Sequence, residues 1–160
     1  AVLLQRDSNH KTITKFFNQP SNQTNQIMKQ LVFYRCPHCG NVIVKTMDSG
    51  VDVVCCGEPM EVLTPKTDEE FKEKHLPVVS RGCKIASQDC TLTVQVGSVE
   101  HPMTAEHGIR FVCLETEQGV SIVHLEPGQK PKVEFCTCKE KPVAVYEYCN
   151  LHGLWKTAVK

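Results

Sequence analysis

Two closely spaced cysteine pairs constrain this chain more than any other feature. Cys36-Pro37-His38-Cys39-Gly40 sets two thiols on one tight turn, and Cys55-Cys56-Gly57 supplies two more a short distance on. A C-x-x-C knuckle followed by a second cysteine pair is the pattern of a tetrahedral thiolate site. Gly40 lets the backbone turn away without a side-chain penalty. Adjacent cysteines can share one ion only if the backbone between them is bent, which is expected to distort the tetrahedron. Four thiolates suit zinc or iron, and ligand type alone does not choose between them. A structural zinc knot is therefore the plain alternative at this site, and His38 is expected to face solvent as a spectator.

The reading of the ten cysteines depends on compartment. In a secreted chain they would suggest disulfides, and in a reducing cytosol metal ligands. Spacing favours metal, because Cys149 also precedes His152 by three residues and a disulfide framework needs no histidine there. Lys plus Arg and Asp plus Glu both total 18, so no net charge points to a nucleic-acid or membrane partner. No apolar run approaches a membrane span, and no secretory signal pattern is present. The expectation is a soluble, cytoplasmic protein.

Residues 1–27 read differently from the rest. The run Asn18-Gln19-Pro20-Ser21-Asn22-Gln23-Thr24-Asn25-Gln26 is polar and low in complexity. They are expected to be a flexible leader or a vector-derived extension, with Met28 as the native start. Residues 28–64 form a small module with strands expected over 31–34, 41–47 and 51–54 around the turn Asp48-Ser49-Gly50. So short a module cannot bury an adequate core without a staple, and a bound metal would supply one. The remainder, 65–160, opens with a linker and a helical turn over 68–74, capped by Thr67 and Glu70. Seven strands follow, over 78–81, 91–96, 109–115, 119–125, 132–136, 143–148 and 155–159. Their period-two patterning (Leu92, Val94 and Val96 against Thr91, Thr93 and Gln95) argues for an all-β chain ending in an antiparallel β-sandwich.

A second group of metal-binding residues lies in three stretches: Glu73-Lys74-His75-Leu76-Pro77, His101-Pro102-Met103-Thr104-Ala105-Glu106-His107 and Cys149-Asn150-Leu151-His152-Gly153. Loops at the rim of a sandwich can bring such separated ligands to one point. His75, His101, His107, His152 and Cys149 are too many for an ordinary tetrahedral zinc site, and leave one position open on an octahedral ion. Imidazoles with one thiolate favour a redox-active transition metal or zinc. Lys74 offers a cation to an anionic ligand, and Glu73 could fill the open position or order water. Each residue alone has a dull reading, as surface histidine, solvated charge pair or buried cysteine. Five such coincidences behind a four-cysteine knuckle are a poorer account.

Taken together, these residues resemble the desulfoferrodoxin family of superoxide reductases. The resemblance starts at Phe33-Tyr34-Arg35-Cys36 and runs to the C-terminus. It is carried by C-P-H-C-G-N and C-C-G-E-P-M in the module, then by E-K-H-L-P, H-P-M-T-A-E-H-G-I and C-N-L-H-G-L-W in order. It implies a desulforedoxin-like module followed by an immunoglobulin-like sandwich, commonly assembled as a homodimer. It also implies two irons, with zinc possible in the first site. Cys36, Cys39, Cys55 and Cys56 would hold one. His75, His101, His107 and His152 would surround the other, with Cys149 on its axis. The implied activity is reduction of superoxide to hydrogen peroxide, with Lys74 steering the anion, Glu73 closing on the oxidised centre and a rubredoxin as external donor.

Five cysteines fall outside both sets. Cys113 is expected in the core. Cys136-Thr137-Cys138 could bind another metal or form a redox pair, although a strand there needs neither, while Cys83 and Cys90 bracket a turn and could pair under oxidation. His10 and His124 match no motif. The rival functions are a metal-binding electron-transfer module without catalysis, a metallohydrolase using Glu73 as base, and a superoxide dismutase. Hydrolytic sites keep fewer protein ligands, and an axial thiolate disfavours the oxidising half of dismutation.

Overall fold

The computed structural model describes residues 31–84, 89–137 and 140–160. The expected leader over 1–27, the turn between Cys83 and Cys90, and Cys138 lie outside them. The small module is built on β1 (Val32–Arg35), flanked antiparallel by β2 (Val42–Lys45) and by β5 (Glu61–Leu63). A two-residue pair, β3 (Val54–Cys55) with β4 (Glu58–Pro59), carries the second cysteine pair. The strand expected over 51–54 is only partly formed. Val54 pairs with Pro59 and Val53 O accepts Met60 N–H at 2.8 Å, whereas Val51 offers its carbonyl to Lys45 Nζ at 2.9 Å.

The expected capping box is not used. Lys66 is held to the last strand, its N–H donating to Leu154 O at 2.9 Å while Lys156 N–H donates to Lys66 O at 2.9 Å. Residues 67–70 are spent crossing from that anchor. The single-turn helix α1 therefore starts later, at Lys72–His75, from Phe71 in the left-handed region (φ 69) with no side-chain cap.

All seven expected sandwich strands are present, most of them one or two residues longer than the patterning suggests: β6 (Pro77–Lys84), β7 (Asp89–Val96), β8 (Ile109–Thr116), β9 (Val120–His124), β10 (Lys132–Cys136), β11 (Pro142–Cys149) and β12 (Gly153–Ala158). They form a three-stranded sheet β10-β7-β6 and a four-stranded sheet β12-β11-β8-β9. Leu92, Val94 and Val96 of β7 and Val133 and Phe135 of β10 pack with Val112, Leu114 and Val145 of the four-stranded sheet. This inter-sheet layer is the main core of the sandwich.

The outer face of the four-stranded sheet is covered as well. Phe111, Cys113, Tyr146, Tyr148 and Leu154 pack there against Phe33, with Leu31, Val42, Val44 and Leu63 of the module around them. Burial on both faces explains why β8 and β11 do not alternate with water, although their side chains still alternate between the two cores. Cys113 is in the core as expected, with 0% exposure. No helix among the described residues is long and apolar enough to cross a membrane.

Candidate metal centres

The module's turns bring all four of its cysteines together. Gly40, at φ 75, closes the knuckle with its N–H on Cys36 O at 3.1 Å, and Cys39 N–H points to Cys36 Sγ at 3.5 Å. The vicinal pair is bent as expected, since Cys56 (φ 53) and Gly57 (φ 86) are both left-handed. Cys55 Sγ then lies 3.7 Å from Cys39 Sγ and 3.9 Å from Cys56 Sγ. Crowding splits the thiols. The Cys39 N–H lowers Cys36 to about 6. Cys56, sharing its S–H first with Cys39 and then with Cys36 and Cys55, is pushed up to about 12. One cation would replace these shared protons. His38 stays outside the cluster, exposed and paired with Glu58 Oε2 at 2.9 Å.

The second cluster is assembled at one end of the sandwich from three loops. His75 ends α1, where Leu76 N–H closes the turn on Lys72 O at 2.8 Å and Pro77 starts β6. Trp155 of β12 stacks beneath the His75 ring at 4.9 Å and 9°. The loop after β7 supplies His101 and His107; Thr104 holds its second half by accepting His107 N–H on Oγ1 at 3.0 Å. Cys149 ends β11, and the turn to Gly153 (φ 82) returns His152 toward it, with Sγ and Nδ1 3.7 Å apart. A register shift between Tyr148 and Cys149 marks a bulge against β8, a local kink that re-aims the side chains beside it.

The four imidazoles form a closed cycle. Ring centroids are separated by 4.6 Å from His75 to His101, 4.7 Å from His101 to His107, 4.8 Å from His107 to His152 and 4.7 Å from His152 to His75. Neighbouring rings meet edge-on, and one donor atom from each, together with Cys149 Sγ, lies within 4.8 Å of all the others.

Hydrogen bonding shows that this cluster fits a cation. His75 Nδ1 faces Glu147 Oε1 at 3.2 Å and His101 Nδ1 donates to Pro102 O at 2.5 Å. Both Nε2 atoms are buried without a partner. Two buried lone pairs directed into one cluster are costly unless something positive lies between them. Burial, then the charge of neighbouring histidines, drives His75 down to about 3. His101 and His152 are lowered for the same leading reason, and burial raises the Cys149 thiol. Neutral imidazoles beside one polarisable sulfur are the donor set of a redox-active transition metal.

The remaining predicted residues sit at the rim. Lys74 lines an open cleft of about 690 Å³ together with Glu100, His101 and Lys130. Glu73 is exposed on α1; its backbone carbonyl, not its carboxylate, is engaged, accepting from Val99 N–H at 2.9 Å and Ser98 Oγ at 3.2 Å.

Two supporting residues escaped the sequence reading. Glu147 is wholly buried and its carboxyl is raised by burial, yet it faces His75. A lone acid in the apolar run Val143-Ala144-Val145-Tyr146-Glu147-Tyr148 was the available signal. Asn150 ties two ligand loops together: its Oδ1 accepts Gly108 N–H at 2.9 Å, and its Nδ2 donates to Ala105 O and Glu106 O.

The chain matches the family model described as desulfoferrodoxin over residues 67–158, and that described as desulfoferrodoxin, N-terminal domain, over residues 28–63. It is 44% identical to a desulfoferrodoxin of Nitratidesulfovibrio vulgaris over 128 residues, covering 79% of this chain and 95% of the relative. A desulfoferrodoxin homolog of Archaeoglobus fulgidus is 39% identical over 125 residues, covering 78% and 94%. The crystal structure of the superoxide reductase from Treponema pallidum superposes with a TM-score of 0.67 at 32% identity, covering 80% of this chain and 98% of that one.

Proposed function

The chain belongs to the desulfoferrodoxin family, and from that premise we propose that it is a superoxide reductase, adding one electron and two protons to superoxide to give hydrogen peroxide. The observation that carries this reading is the closed cycle of four imidazoles with one thiol. Iron held by these five residues would supply the one-electron transfer, and a second iron suits the four thiols of the module.

The chain's own residues do the rest. Glu147 holds His75 Nδ1, leaving Nε2 directed into the cluster. Trp155 fixes the plane of the same ring. We assign Lys74 to attract the superoxide anion along the open cleft, where Lys130 adds to the positive field. Glu73, exposed beside it, is assigned to order water for protonation at the open side.

The finer organisation belongs to the same proposal. Residues 28–64 act as the iron module and 65–160 as the catalytic sandwich. The chain works in the cytoplasm with a small external donor of the rubredoxin kind, and assembles as a homodimer. Val120 and Ile122, exposed on the edge strand β9, are compatible with such a contact.

The test supplies superoxide and a reductant to the protein isolated with its metals. One hydrogen peroxide per superoxide, no dioxygen, and iron at both centres are expected. Release of dioxygen would make the protein a dismutase. Zinc alone, with no superoxide consumed, would make it a binding module.

A further inference from the structure

The end of the sandwich remote from the metal cluster carries cysteines that neither centre uses. Cys90 of β7 is disulfide-bonded, and the backbone register of the β6–β7 ladder sets Cys83 directly opposite it. Beside them, β10 pairs with β7 so that Cys136 stands opposite Thr91. Thr137 N–H continues that ladder onto Cys90 O at 2.7 Å.

We propose that Cys83 and Cys90 form a reversible dithiol–disulfide pair, closed by hydrogen peroxide and reopened by a dithiol reductant, as a thiol redox site separate from both metal centres. Three observations converge on it.

The first is position. The same ladder begins at Pro77, two residues after His75, and six rungs separate that end from the Cys83–Cys90 rung. At strand spacing this is about 20 Å, too far for either sulfur to join the histidine cluster.

The second is constraint. The link would join strands already held by a continuous register from Pro77–Val96 to Lys84–Asp89. A cross-link closing so short a loop restrains the unfolded chain less than a long-range one would. A structural staple is better placed elsewhere.

The third is chemistry. Cys90 is partly exposed, one rung from the hairpin end of the ladder where Lys84 stands opposite Asp89. Partial exposure gives peroxide access to its sulfur.

The reaction balances without a further component. One thiolate attacks the O–O bond, giving a sulfenic acid and releasing water. The second thiol displaces hydroxide from that sulfur, which leaves as water. Both sulfurs are oxidised, both peroxide oxygens are reduced, and one S–S bond forms with two waters. Exchange with an external dithiol reverses it.

The source of peroxide in the cell rests on the function proposed above, whereas the pair itself does not. The experiment keeps the two apart by adding hydrogen peroxide directly. The metal-loaded full chain is reduced with a dithiol, freed of it, exposed to a small excess of peroxide, alkylated and mapped by peptide mass spectrometry. A peptide pair joining Cys83 to Cys90, lost again on renewed dithiol treatment, is expected in the wild type and in C136S, and is absent in C83S and C90S. Superoxide reduction in C83S and C90S should match the wild type. A bond from Cys90 to Cys136 or Cys138, a Cys90 thiol that stays alkylatable after peroxide, or a bond that the dithiol cannot open in the folded protein would each overturn the proposal. Absence of superoxide reduction in the wild type would overturn only the function proposed above.

Discussion

At the residue scale, the centre depends on side chains that do not all touch a metal. Lys74 is the clearest case, because it borders the cleft beside His101 while belonging to no donor cluster. Lys74→Ala should lower the second-order rate with superoxide by about ten-fold at low salt and flatten its ionic-strength dependence. Metal content should stay unchanged; pulse radiolysis with metal analysis reads both, and an unchanged rate would remove Lys74 from steering. A second residue-scale prediction concerns the outer core. Burial first, and then Glu115, push the Cys113 thiol from 9.0 up to about 12. The folded chain therefore keeps a proton that the unfolded chain loses, so this contribution is complete below pH 9 and is lost as pH rises toward 12. Stability should fall by up to about 1.4 kcal/mol per pH unit in that window. Tyr146, raised by burial and by Glu115, adds to the loss only above its ordinary value of 10.0. Urea titrations of wild type and Cys113→Ala between pH 9 and 10 should therefore converge as pH rises.

At the element scale, a four-residue helix positions a ligand, and such a helix has no stability of its own. Its support comes from the loop after β7. Gly97 donates its N–H to Leu76 O at 3.2 Å, and Val99 N–H reaches Glu73 O. Gly97 has φ +75, and a Cβ there would collide with the carbonyl oxygens of Lys74 and Val99. Gly97→Ala should cost about 2–4 kcal/mol by backbone strain. It should also deplete metal at the histidine cluster while sparing the four-cysteine cluster. Equal loss from both would show that the loop acts globally. Strand positions were largely legible beforehand, because Leu92, Val94 and Val96 alternate with polar neighbours and all three are buried. The helix start was not legible. Thr67 and Glu70 have capping-box spacing, but the pairing of Lys66 with Leu154 and Lys156 claims that stretch for a crossing.

At the scale of the whole molecule, the small module leans on the sandwich as well as on its metal site. Phe33 is wholly buried, stacked on Phe111 at 6.0 Å and tilted against Tyr146 at 5.2 Å. The shortage of core expected for so short a segment is met by sharing the outer face of the four-stranded sheet. Phe33→Ala should therefore cost about 3–5 kcal/mol. Because the shared core includes β8 and β11, hydrogen exchange should quicken in those strands as well as in β1. Exchange confined to the module would mean that the two parts fold separately. Both metal clusters also depend on this sheet, since Cys149 closes β11 while Phe33 leads into Cys36.

The sequence by itself determined the donor chemistry and the strands of the sandwich. Cysteine and histidine are chemically distinctive at any position, and period-two patterning is a local property of the chain. Sequence alone also determined that five donors belong together, through motifs whose order matches a family. Tertiary structure alone decided how they meet. The closed cycle of His75, His101, His107 and His152 needs loops separated by tens of residues to converge on one end of a sandwich. The roles of Glu147 and Asn150 were decided there too, because a buried acid or amide acquires meaning only from the atom it faces. So was the double burial of β8 and β11, which follows from the module covering a face that water would otherwise occupy. Local chemistry can be read along the chain; contacts between distant segments exist only once the chain has folded and expelled the water between them.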